Sequence, residues 1–150
     1  MITDEHLVEI EKLMRRHNVT AGYMFGSHAT GRANQLSDVD IAVLFAEGVD
    51  KQHRFNAVLD MISDFQAMLG VREVDVVDME EAPLSLRFNI LRDGLLLYCS
   101  DAARRVEFCA RSRSLYFDFE PARDVYRHYL MKRIKEGKLG QRPERKRFTR

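Results

Sequence analysis

Tyr23-Met24-Phe25-Gly26-Ser27-His28-Ala29-Thr30-Gly31 runs through the polar segment Arg32 to Ser37 into Asp38-Val39-Asp40-Ile41-Ala42-Val43-Leu44-Phe45. The first apolar run, from Ala21 to Phe25, has the length and aromatic content of a buried strand, and Gly26-Ser27 turns the chain at its end. The second run opens with alternation and becomes continuously apolar, the pattern of a strand buried on both faces. Residues i and i+2 of a strand share a face, so Asp38 and Asp40 direct their carboxylates into one place.

Working outward, Leu7, Ile10, Leu13 and Met14 recur at helical spacing between Asp4 and His17, with Thr3 or Asp4 to cap the start. Phe55, Val58, Leu59, Ile62, Phe65, Met68 and Leu69 do the same over 51–69, and Gly70 supplies the stop. A third strand is expected over Val71 to Val77, and Pro83 suits the first turn of a helix carrying Leu84, Leu86, Ile90 and Leu91. Leu95 to Tyr98 reads as a short fourth strand. From Asp101 to about Lys135 the pattern is helical, with a break near Asp118 to Pro121. The expectation is an α/β (α+β) fold: a small mixed sheet of about four strands flanked by helices, with a helical extension at the C-terminus. Residues 1–100 form the main domain in this reading, 101–136 the extension, and 137–150 a basic tail.

At 150 residues the chain is of a size for one domain, and its apolar content is that of a packed protein. No apolar stretch reaches the roughly 20 residues that span a bilayer, and the N-terminus lacks a basic, then apolar, leader pattern, so a cytoplasmic location is expected. Cys99 and Cys109 lack metal-ligand spacing and read as small buried hydrophobes. The net charge of +1 hides an asymmetry: residues 1–100 carry 9 Lys and Arg against 16 Asp and Glu, and residues 101–150 carry 15 against 7. A near-neutral total argues against a surface that grips nucleic acid throughout. The basic last third, including Arg142, Arg145, Lys146, Arg147 and Arg150, is suited to an acidic partner surface or RNA phosphates.

Two like charges held at the start of an apolar strand repel, and Mg²⁺, with its preference for oxygen ligands, is the natural compensator. In two-metal phosphoryl chemistry a third carboxylate usually helps, with two ions roughly 3.5 to 4 Å apart. Asp75 is the candidate, set in Glu73-Val74-Asp75-Val76-Val77; Glu73 shares its face by the two-residue period, so spacing alone leaves the two open. Asp78, at the end of this run, reads as a turn residue. Gly26 lets the backbone approach phosphate oxygens without a Cβ, and the Ser27 hydroxyl and N–H can donate to them. A Gly-Ser pair or a D-x-D pair alone says little; their joint spacing carries the weight.

With these residues the chain resembles the DNA polymerase beta superfamily, and within it the minimal nucleotidyltransferases, whose signature is Gly-Ser, about ten residues, then Asp-x-Asp. The resemblance covers approximately residues 20 to 98. It implies a polymerase-beta-like nucleotidyltransferase fold, Asp38 and Asp40 as Mg²⁺ ligands, and Asp75 as the third, nearest the attacking hydroxyl. The short length, the Ala82-Pro83-Leu84-Ser85-Leu86-Arg87 segment and Tyr116-Phe117-Asp118-Phe119 are similar to MNT-type antitoxins paired with HEPN ribonuclease toxins. That resemblance implies transfer of AMP from ATP to a tyrosine hydroxyl of the toxin in a heteromeric complex. Where the family often carries arginines this chain has His28 and Thr30, leaving Arg32 to serve at the triphosphate. Two other functions compete: a small-molecule nucleotidyltransferase of the aminoglycoside type, and a non-catalytic antitoxin that acts by covering its partner. His28 reads as an exposed loop histidine, Tyr23 to Phe25 as strand core. The spacing of Arg123 and His128, similar to the R-x4-H pair of HEPN ribonucleases, reads as a solvated helix face, because too few residues follow Ser100 to build that helical bundle.

Overall fold

A computed structural model of the chain describes residues 2–33 and 38–140, so most of the loop between the Gly-Ser turn and Asp38, and residues 141–150 of the basic tail, lie outside the described residues. The chain divides into two compact units, Met1–Tyr116 and Phe117–Arg150.

The first unit begins with α1 (Asp4–Arg16), capped by a reciprocal pair in which the Thr3 hydroxyl accepts from the His6 N–H and the His6 ring accepts from the Thr3 N–H. Strand β1 (Val19–Phe25) follows, then a single helical turn, α2 (Gly26–Ala29), and β2 (Val39–Phe45). Helix α3 (Lys51–Leu69) starts at the Asp50 cap and stops at Gly70, whose φ of +63° is the left-handed conformation that ends helices. Strand β3 (Val74–Asp78), helix α4 (Leu84–Asp93), strand β4 (Leu95–Cys99) and helix α5 (Ala102–Asp118) complete the order. Helix α6 (Glu120–Lys135) lies in the second unit, with Phe119 at its cap and Pro121 in its first turn, where a missing N–H costs no hydrogen bond.

The sheet has the order β3-β2-β1-β4. β1 is antiparallel to both β2 and β4, while β2 and β3 are parallel, joined through α3. Both faces of the two central strands are covered, and alternate residues go to separate cores. Val39, Ile41, Val43 and Phe45 of β2 join Ile10, Met14, Met61 and Phe65 on the face under α1 and α3. Ala42 and Leu44 join Ala21, Tyr23, Met79 and Ile90 on the other, with Leu86 and Phe108 packed against them. Two-sided burial accounts for the unbroken apolar run in β2.

Several side chains sit otherwise than the sequence reading expects. On α3 the buried line is Ala57, Met61 and Phe65, while Phe55 and Leu59 are 59% and 50% exposed. Of the covered stripe only Phe65 is among the residues the helical spacing picks out; Ala57 and Met61 are not. Cys99 is exposed and Cys109 is half-buried, its Sγ 3.9 Å from the Tyr23 hydroxyl, so neither is a buried hydrophobe. Asp78 ends β3 opposite Val43 and opens the turn that follows, its carboxylate accepting from the Glu80 N–H at 3.0 Å and its carbonyl from the Glu81 N–H at 3.1 Å. The same carboxylate also takes Arg54 Nε at 2.9 Å, a pairing the sequence reading does not foresee. The sequence pattern misses this because the compensating charge comes from α3, 24 residues earlier in the chain.

Candidate active site

β1 ends at Phe25, and Gly26 turns the chain with a φ of +69°. That conformation favours glycine, and a second constraint acts on the same atom: a Cβ built on Gly26 would lie 2.3 Å from Oδ2 of Asp40. Backbone and carboxylate can share this space only if no side chain intervenes. The turn is closed by Thr30, whose N–H and hydroxyl both donate to the Gly26 carbonyl at 3.3 and 3.2 Å, and by the Arg32 N–H, which donates to the Ser27 carbonyl at 3.0 Å. Thr30 therefore holds the shape of the Gly-Ser bend. Ser27 is half-buried in it, and Arg32 is exposed just past it.

On β2, Asp40 is the residue opposite Phe25 across β1 and opposite Asp75 across β3. Register thus brings Asp40 and Asp75 side by side on one face, and Asp38, just before β2 and two residues back from Asp40, falls on the same side by the two-residue period. The same registration assigns Glu73 to the residue just before β3, where its carbonyl accepts from the Val39 N–H at 3.2 Å.

The electrostatics follow from this crowding. Burial raises the Asp40 carboxyl above its ordinary value, the charges of Asp75 and Asp38 raise it further, and His28 opposes them. Glu73 is raised as well, first through a hydrogen bond with the Asp38 carboxyl and then through the charges of Asp38 and Asp75. Four carboxyls thus gather at one end of the sheet around a half-buried Asp40, with cation deficient and oxygen in excess. His28 is a correction to the sequence reading: it is partly buried in α2 and engaged with a partner, and its charge bears on Asp40. Its position two residues after Gly26, inside a turn that must face the second strand, was the signal.

Among the described residues no three His, Cys, Asp or Glu side chains form a ready-made metal cage. The donor set nonetheless fits Mg²⁺, which commonly takes one or two protein carboxylates and fills its octahedron with waters and substrate phosphates. A half-buried carboxylate that its neighbours repel is the kind of group such a cation relieves.

A family model described as polymerase beta, nucleotidyltransferase matches residues 9–103. The chain belongs to the polymerase beta nucleotidyltransferase family. This nucleotidyltransferase is 28% identical over 103 residues, 69% of its own length and 70% of the other's, to the protein adenylyltransferase MntA of Shewanella oneidensis. It is 29% identical over 90 residues to a Methanocaldococcus jannaschii protein that carries the adenylyltransferase name provisionally, covering 58% of this chain and 88% of that one. Among solved structures, a chain of a toxin–antitoxin crystal structure with AMP-PNP superposes with a TM-score of 0.67 at 25% identity, covering 86% of this nucleotidyltransferase and 99% of that chain.

Proposed function

We propose that the chain transfers AMP from ATP to a tyrosine hydroxyl of a cognate HEPN-type ribonuclease toxin, and that this modification makes it the antitoxin of the pair. The observation that carries the proposal is the meeting, at Asp40, of the Gly26 bend from one neighbouring strand and Asp75 from the other. The relatives' names, one of them given provisionally, and the structural likeness to a toxin–antitoxin complex with an ATP analogue support the reaction type and the partner.

In this reading Gly26 and Ser27 take the outer phosphates: the glycine leaves the backbone bare, and the serine offers its hydroxyl and N–H. Arg32, exposed beyond the turn, is free to swing toward the same phosphates. Asp38, Asp40 and Asp75 would hold Mg²⁺, two ions when fully loaded, and the metal supplies neutralisation of the triphosphate charge when bound. The acceptor oxygen attacks the α-phosphorus, a new P–O bond forms, the bond to the β-phosphate oxygen breaks, and pyrophosphate leaves. Asp75, exposed on the strand beside Asp40, would receive the hydroxyl proton. Residues 1–100 serve as the catalytic domain, 101–136 as a helical extension and 137–150 as a basic tail, and the cytoplasm, with its ATP, is the place of action.

Incubating the chain with ATP, Mg²⁺ and the purified partner, followed by peptide mass spectrometry, is expected to find AMP on a partner tyrosine. EDTA should abolish the modification. Modification of an aminoglycoside instead, with the partner untouched, would move the assignment to a small-molecule transferase.

A further inference from the structure

A second polar cleft lies well away from the aspartates. Arg104 marks its place, since its Nε donates to the carbonyl of Phe45 at 3.0 Å, at the opposite end of β2 from Asp40. Five residues of strand separate those two points, about 17 Å at about 3.3 Å per residue. The cleft encloses ≈ 280 Å³ between α4, α5 and the loop after β3, and every residue lining it belongs to the first unit.

Three cationic and three anionic side chains line it, and their pairing is uneven. Glu80 is consumed, held by both Arg54 and Arg104. Arg87 lies over the Phe108 ring at 5.0 Å and spends Nη2 on the carbonyls of Glu80 and Ala82, at 2.9 and 3.3 Å. Its Nε is buried and meets no acceptor. The Ser112 hydroxyl, in a residue only 1% exposed, also meets none. Arg111, next to Ser112 on α5, forms no ion pair with any described acid. Burial holds Arg87 below its ordinary value, and the neighbouring Arg111 adds to that against the opposing charge of Glu80. The guanidinium groups of Arg87 and Arg111 line the same cleft as two orphaned buried donors, a place short of an anion. Glu47 and Glu107 stand exposed at the rim and keep the affinity moderate.

Unsatisfied buried donors are costly, and an oxyanion would answer the two here, Arg87 Nε and the Ser112 hydroxyl, while the exposed Arg111 adds a cation beside them. The donors come from two helices and from different directions, which suits a tetrahedral anion better than a planar carboxylate. We propose that this cleft is a phosphate-binding site, in which a phosphate group accepts hydrogen bonds from Arg87 Nε, the Ser112 hydroxyl and the Arg111 guanidinium. The phosphate has two sources, free inorganic phosphate or the phosphate of a nucleotide.

Isothermal titration of the full chain in EDTA, with inorganic phosphate in one arm and AMP in the other, tests the site. Saturable binding of phosphate or AMP is expected, weakened about tenfold in Arg111→Gln and roughly threefold in Ser112→Ala. The double variant Asp38→Asn, Asp40→Asn should bind as the natural chain does. Tighter binding of AMP than of phosphate, lost in the same two variants, assigns the site to a nucleotide; equal binding assigns it to free phosphate. Absence of saturable binding in both arms, indifference to both cleft variants in folded protein, or loss of binding in the double aspartate variant would overturn the proposal.

Discussion

Asp40 has a strand on either side, and its two neighbours, Phe25 and Asp75, have nothing in common but register. Burial from one side and charge from the other both raise its carboxyl, so any substitution near it acts on a group already under electrostatic stress. Gly26 is the most constrained of these neighbours. Gly26→Ala adds a Cβ at 2.3 Å from Oδ2 of Asp40 and strains a backbone at positive φ. The backbone strain costs about 1–2 kcal/mol. Displacing the carboxylate should lower AMP transfer by roughly a hundredfold, because small misplacements of reacting groups are that expensive. A transfer assay beside a thermal melt would separate the two effects, and a fully active Gly26→Ala variant would show that the bend and the carboxylate act independently. At this scale the shared face of Asp38 and Asp40 was legible in the sequence, since it follows from strand periodicity, and so was the Gly26-Ser27 turn at the end of an apolar run. His28 and Thr30 were not, since their importance depends on how a single helical turn folds back, which no periodicity encodes.

Helix α3 shows what periodicity does and does not contain. Its bounds, 51–69, and its stop at Gly70 follow from pattern and cap chemistry. Which apolar residues face inward does not, because eight large ones share the helix and only the packing on the sheet below decides among them. Phe65→Ala should cost about 3–5 kcal/mol, while Phe55→Ala, at an exposed position, should stay within about 0.5 kcal/mol. Urea unfolding checks both, and equal losses would contradict the burial described. Where α1 ends, His17 supplies a pH-dependent test. Its pKa is lowered, first by burial and then by Arg16, with Asp60 and Asp64 opposing, and its Nε2 is buried with no hydrogen-bond partner. The unfolded chain therefore binds a proton more readily than the folded one, so this contribution to stability is present above pH 6.5 and is lost as the pH falls through the lower folded value. Melting temperature between about pH 7.5 and 5.5, a window of roughly two units around the ordinary histidine value, should fall less steeply in His17→Gln than in the natural chain. Identical slopes would remove His17 as the cause.

For the whole molecule, the strand order β3-β2-β1-β4 is what converts residues distant in sequence into one site. Asp75 could be named from its strand, but only the parallel register shows it opposite Asp40, and only the fold shows Glu73, just before that strand, bonded to Asp38 beside it. The phosphate cleft was invisible for the same reason: Arg87, Arg111 and Ser112 belong to helices whose packing is a tertiary fact. The charge asymmetry, by contrast, was plain from composition, and most of the basic excess lies beyond residue 100. On the proposed function, the carboxylates at the end of β2 and β3 move AMP onto a protein hydroxyl. Transfer from α-labelled ATP to the copurified partner, measured in a single turnover with Mg²⁺, tests it most directly. Labelled partner is expected with the natural chain and none above background with Asp38→Ala, Asp40→Ala of equal fold; equal labelling by the two proteins would contradict it.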